Sequence, residues 1–187
     1  MKCLILYASL SGNTEKVAQR IQDVLQAEKR EVELIKVDRE TDLDLYQYDL
    51  VFLGSPVIGW LPAKTMMGFV HRAMAHYQKT GDLVPCSPVR PGKYAICFCT
   101  YAGPHTGVSE AVPAIKWMRT FFEHIGFVVL DEWYTVGEFK GSEENSTKGR
   151  LGNIKGRPNE NDLLEIENKT RGILETLRWK SVHIPLR

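Results

Sequence analysis

The stretch "YASLSGNTEKVAQRI", residues 7–21, changes character half-way along. Residues 2–8 leading into it are an almost unbroken apolar run, as in a strand buried on both faces. Beyond the join, Val17, Ile21, Val24 and Leu25 fall at i, i+4, i+7 and i+8, which predicts an amphipathic helix over residues 13–28. Between strand and helix lie Ser9, Ser11, Gly12, Asn13 and Thr14. An ordinary turn needs one glycine or one Asn-Gly pair, and an N-cap uses a single polar side chain. The first N–H groups of a helix lack internal partners, and its dipole is positive there. Hydroxyls and a glycine-permitted turn added at that point make an anion nest, suited above all to a phosphate monoester.

Further along, Val32 and Leu34 alternate with charged residues, marking a less buried second strand, and "DLVFLGS" (49–55) reads as a continuously apolar third. A helix is expected from Pro62, in its first turn, to about residue 80, with Met66, Val70, Ala73 and Tyr77 as its core stripe. Pro85, Pro88 and Pro91 mark a loop before a fourth strand, "YAICFCT" (94–100). The next helix opens within 109–113 and closes at Gly126 as a left-handed cap, and residues 127–136 form the fifth strand. Residues 137–156 are polar, with five glycines and no periodicity. A last helix is expected over 160–180, Asn159 capping it and Asp162 returning the bond. Strand and helix thus alternate throughout. This predicts a three-layer, doubly wound α/β fold whose five-stranded parallel sheet has the order 2-1-3-4-5, in one domain spanning 1–187 with a long polar loop at 137–156. Ligands then bind outside the carboxyl ends of strands 1 and 3, where the loop 9–14 lies.

Composition narrows the function classes. The chain has 187 residues, 43% hydrophobic and 25% charged, with 24 basic against 23 acidic residues and a formal charge of +1. No basic stripe supports a nucleic-acid role. No apolar run approaches the roughly 18 residues of a membrane span, and residues 3–8 are too short for a signal-peptide core, so a soluble, cytoplasmic protein is expected. The four cysteines form no C-x-x-C pair, which argues against a metal centre. Cys97 and Cys99 share one strand face, read as small buried hydrophobes with a redox dithiol as the alternative.

Competing phosphate motifs fail on the residues. A dinucleotide fingerprint needs three glycines where this turn has one, and residues 58–65 lack both glycines of a P-loop. A receiver domain would carry an aspartate at the end of strand 3, where this chain has Gly54-Ser55-Pro56. "SLSGNT" (9–14) instead resembles the flavodoxin phosphate loop, T/S-x-T/S-G-x-T, with serines at two positions where threonine is commoner. "GSPVIGWLPAK" (54–64) resembles the second flavin loop of flavodoxin-like proteins, and "KGRPNENDL" (155–163) the lead-in to their last helix.

The resemblance implies an FMN cofactor, with Ser9, Ser11, Gly12, Asn13 and Thr14 holding its phosphate. It places Pro56, Val57, Ile58, Gly59 and Trp60 along the isoalloxazine, and Thr100, Tyr101, Ala102, Gly103 and His105 over its pyrimidine side. Trp60 is the leading candidate for ring stacking and Tyr101 the second; His105 is either a neighbour of flavin N5 or an exposed loop histidine. With Lys16 expected to be solvated, no basic side chain is placed beside the phosphate, which dipoles alone would neutralise. The expected function is an FMN-dependent oxidoreductase passing electrons to a redox partner protein, or from NAD(P)H to a small acceptor. A dedicated electron carrier and a non-redox binding module are the alternatives, and near-neutral charge weakens steering toward basic partners. The loop 137–156 would cover a substrate or make a surface excursion, and the helix 62–80 with residues 117–122 offers a homodimer face or core packing.

Overall fold

The structure, a computed structural model, describes residues 1–183, with side chains as far as residue 178. Strands β1 (Lys2–Tyr7), β2 (Glu31–Lys36), β3 (Leu50–Ile58), β5 (Tyr94–Tyr101) and β6 (Val128–Val136) form a parallel sheet in the order β2-β1-β3-β5-β6. Counting only these main strands, this is the expected 2-1-3-4-5 order. The long helices are α1 (Asn13–Ala27), α2 (Lys64–Thr80), α3 (Val112–His124) and α5 (Glu160–His183).

Alternation along the central strands divides the core into two layers. Leu4, Leu6, Val51 and Leu53 face α2 and α3, among Met66, Phe69, Ile115 and Phe122. Cys3, Ile5, Leu50 and Phe52 face α1 and α5, among Val17, Ile21, Leu25, Trp133 and Ile166. The helical stripe foreseen in α1 is fully buried at Val17, Ile21 and Leu25, each such side chain contributing about 1.5–3 kcal/mol on burial. Cys97 and Cys99 lie wholly inside the α2–α3 layer, where burial pushes both thiols upward and away from the reactive thiolate.

Two local expectations change. Pro62 does not open α2. It lies in a two-residue strand β4 (Leu61–Pro62) that folds back on the end of β3, pairing Val57 with Pro62 and Ile58 with Leu61. Helix α2 starts at Lys64, after Ala63, whose N–H donates to the buried Ser55 hydroxyl at 2.8 Å. Pro62 tolerates this place because an edge strand leaves an N–H unused. The polar stretch 137–156 is likewise built rather than irregular. It contains α4 (Glu143–Thr147), with Ser142 Oγ accepting from Asn145 N at 3.2 Å. The buried Ser146 hydroxyl accepts from Phe139 N at 3.0 Å and donates to Phe139 O at 3.1 Å. Small hydroxyl side chains that compete for backbone partners organise this segment, and hydrophobic periodicity does not register them.

Gly54 fixes the closest approach in the sheet. A Cβ built there would lie 2.0 Å from the ring of Phe98 on the neighbouring strand. Gly54→Ala is expected to destabilise the fold by about 1–3 kcal/mol through overpacking. Urea unfolding measures this, and a second substitution, Phe98→Leu, should recover part of the loss in a double-mutant cycle.

Candidate functional site

The sheet order places the β1–α1 and β3–β4 connections side by side, at the point where the chain reverses direction across the sheet. A cleft of about 240 Å³ opens there. Its walls come from the loop before α1 (Leu10, Ser11, Asn13), the end of β3 (Pro56, Val57, Ile58), the end of β5 (Thr100, Tyr101, Ala102) and residues 137–141.

The floor is the turn into α1. Gly12 adopts φ +90°, which an L side chain resists, and it turns the chain so that the helix begins at Asn13. Ser9 Oγ accepts from Gly12 N at 3.2 Å and, at a longer 3.4 Å, from Glu15 N, so its acceptor capacity serves the loop while its O–H stays free to donate. No acceptor faces the N–H groups of Asn13 and Thr14 among the described residues. Thr14 is buried, and its hydroxyl pairs with that of Thr100 at 2.8 Å, tying the loop to the end of β5. Asn13 donates from Nδ2 to Glu138 O at 2.9 Å, while its buried Oδ1 has no partner. A buried acceptor left unpaired costs about 1–3 kcal/mol, the kind of orphan found where a donor-bearing ligand binds.

The expected flavin residues separate into two groups. Ser11, Asn13, Pro56, Val57, Ile58, Thr100, Tyr101 and Ala102 line the cleft. Gly59 and Trp60 form the tip of the β3–β4 hairpin with φ of 54° and 67°, a two-residue type I′ turn in which the second position usually holds glycine or asparagine. The Trp60 side chain stands 63% exposed at this tip, beyond the cleft wall. Tyr101 is turned into the core, and burial first, then Cys99, raises its phenol. His105 is exposed, and its backbone N–H donates to Glu110 Oε1 at 2.8 Å. Gly103 supports this turn: a Cβ there would meet Gly107 O at 2.6 Å.

Residues 137–141, the start of the loop for which a cover over the site was one of two expectations, form a wall of the cleft. Gly137 N donates to Tyr101 O at 2.8 Å and Glu138 N to Arg157 O at 2.9 Å, which fixes the segment across the end of the sheet. Lys140 Nζ donates to Ser11 O at 2.7 Å, so a basic side chain does reach the loop before α1. The available signal was positional: in this sheet order, the residues after the last strand emerge beside the carboxyl end of the strand before it.

Among the described residues, no helix is long and apolar enough to cross a membrane, and no cluster of His, Cys, Asp or Glu is placed to hold a metal ion.

Sheet order, cleft position and open helix terminus together define a flavodoxin-like α/β protein. Residues 4–89 match the family model described as a flavodoxin domain. A flavodoxin-like domain-containing protein, BilS, of Clostridioides difficile is 44% identical over 54 residues, covering 29% of this chain and 30% of its own length. The probable flavodoxin 1 of Bacillus subtilis is 39% identical over 54 residues, 29% of this chain and 34% of its own. These alignments therefore span about a third of each relative. The whole fold is shared with oxidised flavodoxin 2 from Bacillus cereus, at a TM-score of 0.64 and 22% identity, over 94% of this chain and 99% of that one.

The lead-in to α5 anchors residues 137–141, a strap across the end of the sheet, from behind. Asn159 Oδ1 accepts from Asn161 N at 3.0 Å, and Asp162 Oδ2 accepts from Asn159 N at 2.8 Å, the reciprocal cap foreseen from sequence. Arg157 Nε donates to Asp162 Oδ2 at 2.9 Å, with a second bond from its Nη2 to Oδ1. Burial pushes the Asp162 carboxyl up, but the bonds from Arg157 and from Asn159 N outweigh it and hold the group below the usual carboxylate range. Its contribution to stability is therefore complete above the unfolded value of about 3.9, and is lost as pH falls through the lower folded value. Asp162→Asn should cost about 1–2 kcal/mol at neutral pH. Denaturant titrations from pH 2 to pH 7 should show the variant with a shallower acid dependence than the parent chain.

Proposed function

We propose that this protein is a member of the flavodoxin family that binds FMN in the cleft and serves electron transfer between redox partners. The observation that carries the reading is the meeting of two features at one sheet edge. One is a helix terminus with unpaired Asn13 and Thr14 N–H groups; the other is an apolar slot formed by Pro56, Val57 and Ile58 opposite Ala102. The residues fit a flavin mononucleotide. The open N–H groups and the Ser11 hydroxyl suit its phosphate, and the unpaired Asn13 Oδ1 suits a hydroxyl donor of its ribityl chain.

When bound, FMN supplies the one- and two-electron chemistry of its ring. This chain's residues bind the phosphate, flank the ring and limit water. Trp60 is the proposed ring partner from the β3 side. Holding a tryptophan at φ 67° costs about 1–2 kcal/mol, which is consistent with a turn selected to present an indole at the mouth of the cleft. The relatives named as flavodoxins favour a carrier between proteins over an NAD(P)H-dependent oxidoreductase with a small acceptor.

Purified protein should be yellow or become so on adding FMN, and denaturation should release FMN. A protein that quenches no flavin fluorescence at micromolar concentration would refute the reading. Anaerobic addition of NADH or NADPH separates the two electron sources: no bleaching without an added reductase supports the carrier, and direct bleaching the enzyme. Gly12→Val moves the N–H groups of the α1 terminus and should weaken FMN binding about tenfold or more, the value of a hydrogen bond to a charged group. Fluorescence quenching reads the affinity, and far-ultraviolet circular dichroism reports the fold.

A further inference from the structure

Lys140 is a cation without an anion. Its Nζ donates to the Ser11 carbonyl at 2.7 Å, and among the described residues it forms no ion pair with a carboxylate. In the same segment, Glu138 turns Oε2 to Gly156 N at 3.0 Å and Glu143 pairs with Lys155 at 2.6 Å.

The backbone that carries Lys140 is held at two points. Asn13 Nδ2 binds Glu138 O at 2.9 Å, and Ser146 Oγ accepts from Phe139 N at 3.0 Å. A Cβ at Gly137 would lie 2.8 Å from Asn13 Nδ2, so the strap and the helix terminus are in contact at that point. The ammonium therefore rests on the same loop whose Asn13 and Thr14 N–H groups stand open, beside the orphaned Asn13 Oδ1. A neutral carbonyl is a weaker partner for an ammonium than a phosphate is.

Resting on the FMN reading above, we propose that Lys140, delivered by the strap 137–141, is the counter-charge of the cofactor's phosphate and makes the site selective for phosphorylated over unphosphorylated flavin. The four-carbon stem turns from the Ser11 carbonyl to a phosphate seated on that loop, and the strap keeps the ammonium at the cleft in either position. Loop dipoles act together with a full positive charge that comes from the far end of the sheet.

The test is the affinity of the purified full chain for FMN and for riboflavin, read by flavin fluorescence quenching over a range of salt concentrations. For the parent chain, FMN should bind more tightly than riboflavin, and the preference should shrink as salt rises. Lys140→Ala should weaken FMN about tenfold to a hundredfold, as for loss of a charge-assisted hydrogen bond. It should leave riboflavin unchanged and flatten the salt dependence, while Lys140→Arg restores all three properties. Equal losses for both flavins, or unchanged FMN affinity in Lys140→Ala, would overturn the assignment while leaving FMN binding intact. If the parent chain bound neither flavin, the cofactor reading would fall, and this one with it.

Discussion

The N–H groups that open α1 cannot be satisfied inside the helix, and the rest of the molecule is arranged around that constraint. Gly12 in the left-handed region turns the chain so that Asn13 and Thr14 present their donors outward, and Ser9 ties off Gly12 N and Glu15 N. The turn is held in place from two directions. The Thr14–Thr100 hydroxyl pair links it to β5, and Asn13 Nδ2 binds the Glu138 carbonyl. An anion site built from backbone dipoles depends on such rigidity, because dipoles that rotate freely lose most of their stabilisation.

Parallel topology explains why those supports come from so far along the chain. Each strand ends at the same edge of the sheet, so loops separated by well over a hundred residues meet there. The bond from Lys140 to Ser11 spans 129 positions, and that from Asn13 to Glu138 spans 125. The segment after β6 therefore works as a strap over the first loop. Its own order comes from α4, from Ser146 and from the capped lead-in to α5. Arg157 joins these parts: its carbonyl receives Glu138 N while its guanidinium engages Asp162.

This arrangement also marks what was legible in the sequence. Local signals read well. The apolar runs of β1, β3 and β5, the periodicity of α1, the reciprocal cap at Asn159 and Asp162, and the left-handed Gly126 all depend on near neighbours in the chain. Pro62 was misplaced because its preference for a helix's first turn is only statistical, and the tight turn at Gly59 and Trp60 pulls it into a hairpin instead. Lys140 was missed because a lysine in a polar stretch looks like any solvated charge until the fold brings Ser11 beneath it. Ser9 was read as a phosphate ligand from its residue type; that its oxygen also accepts from Gly12 N and Glu15 N is fixed by side-chain geometry and not visible in the sequence.

Charge distribution separates global from local electrostatics. A net charge of +1 gives little long-range field to steer a strongly charged partner toward the cleft. Around the mouth, Leu10 is 71% exposed and Ile58 51%, next to the projecting Trp60. For a partner approaching this rim, apolar contact would outweigh steering, which lowers sensitivity to salt. For the FMN proposed in the cleft, recognition of the phosphate would rest on dipoles and the Lys140 ammonium, and would keep a salt dependence. On that proposal ionic strength acts differently on the two steps, association at the rim and retention of an anion within, because one relies on buried apolar area and the other on charge.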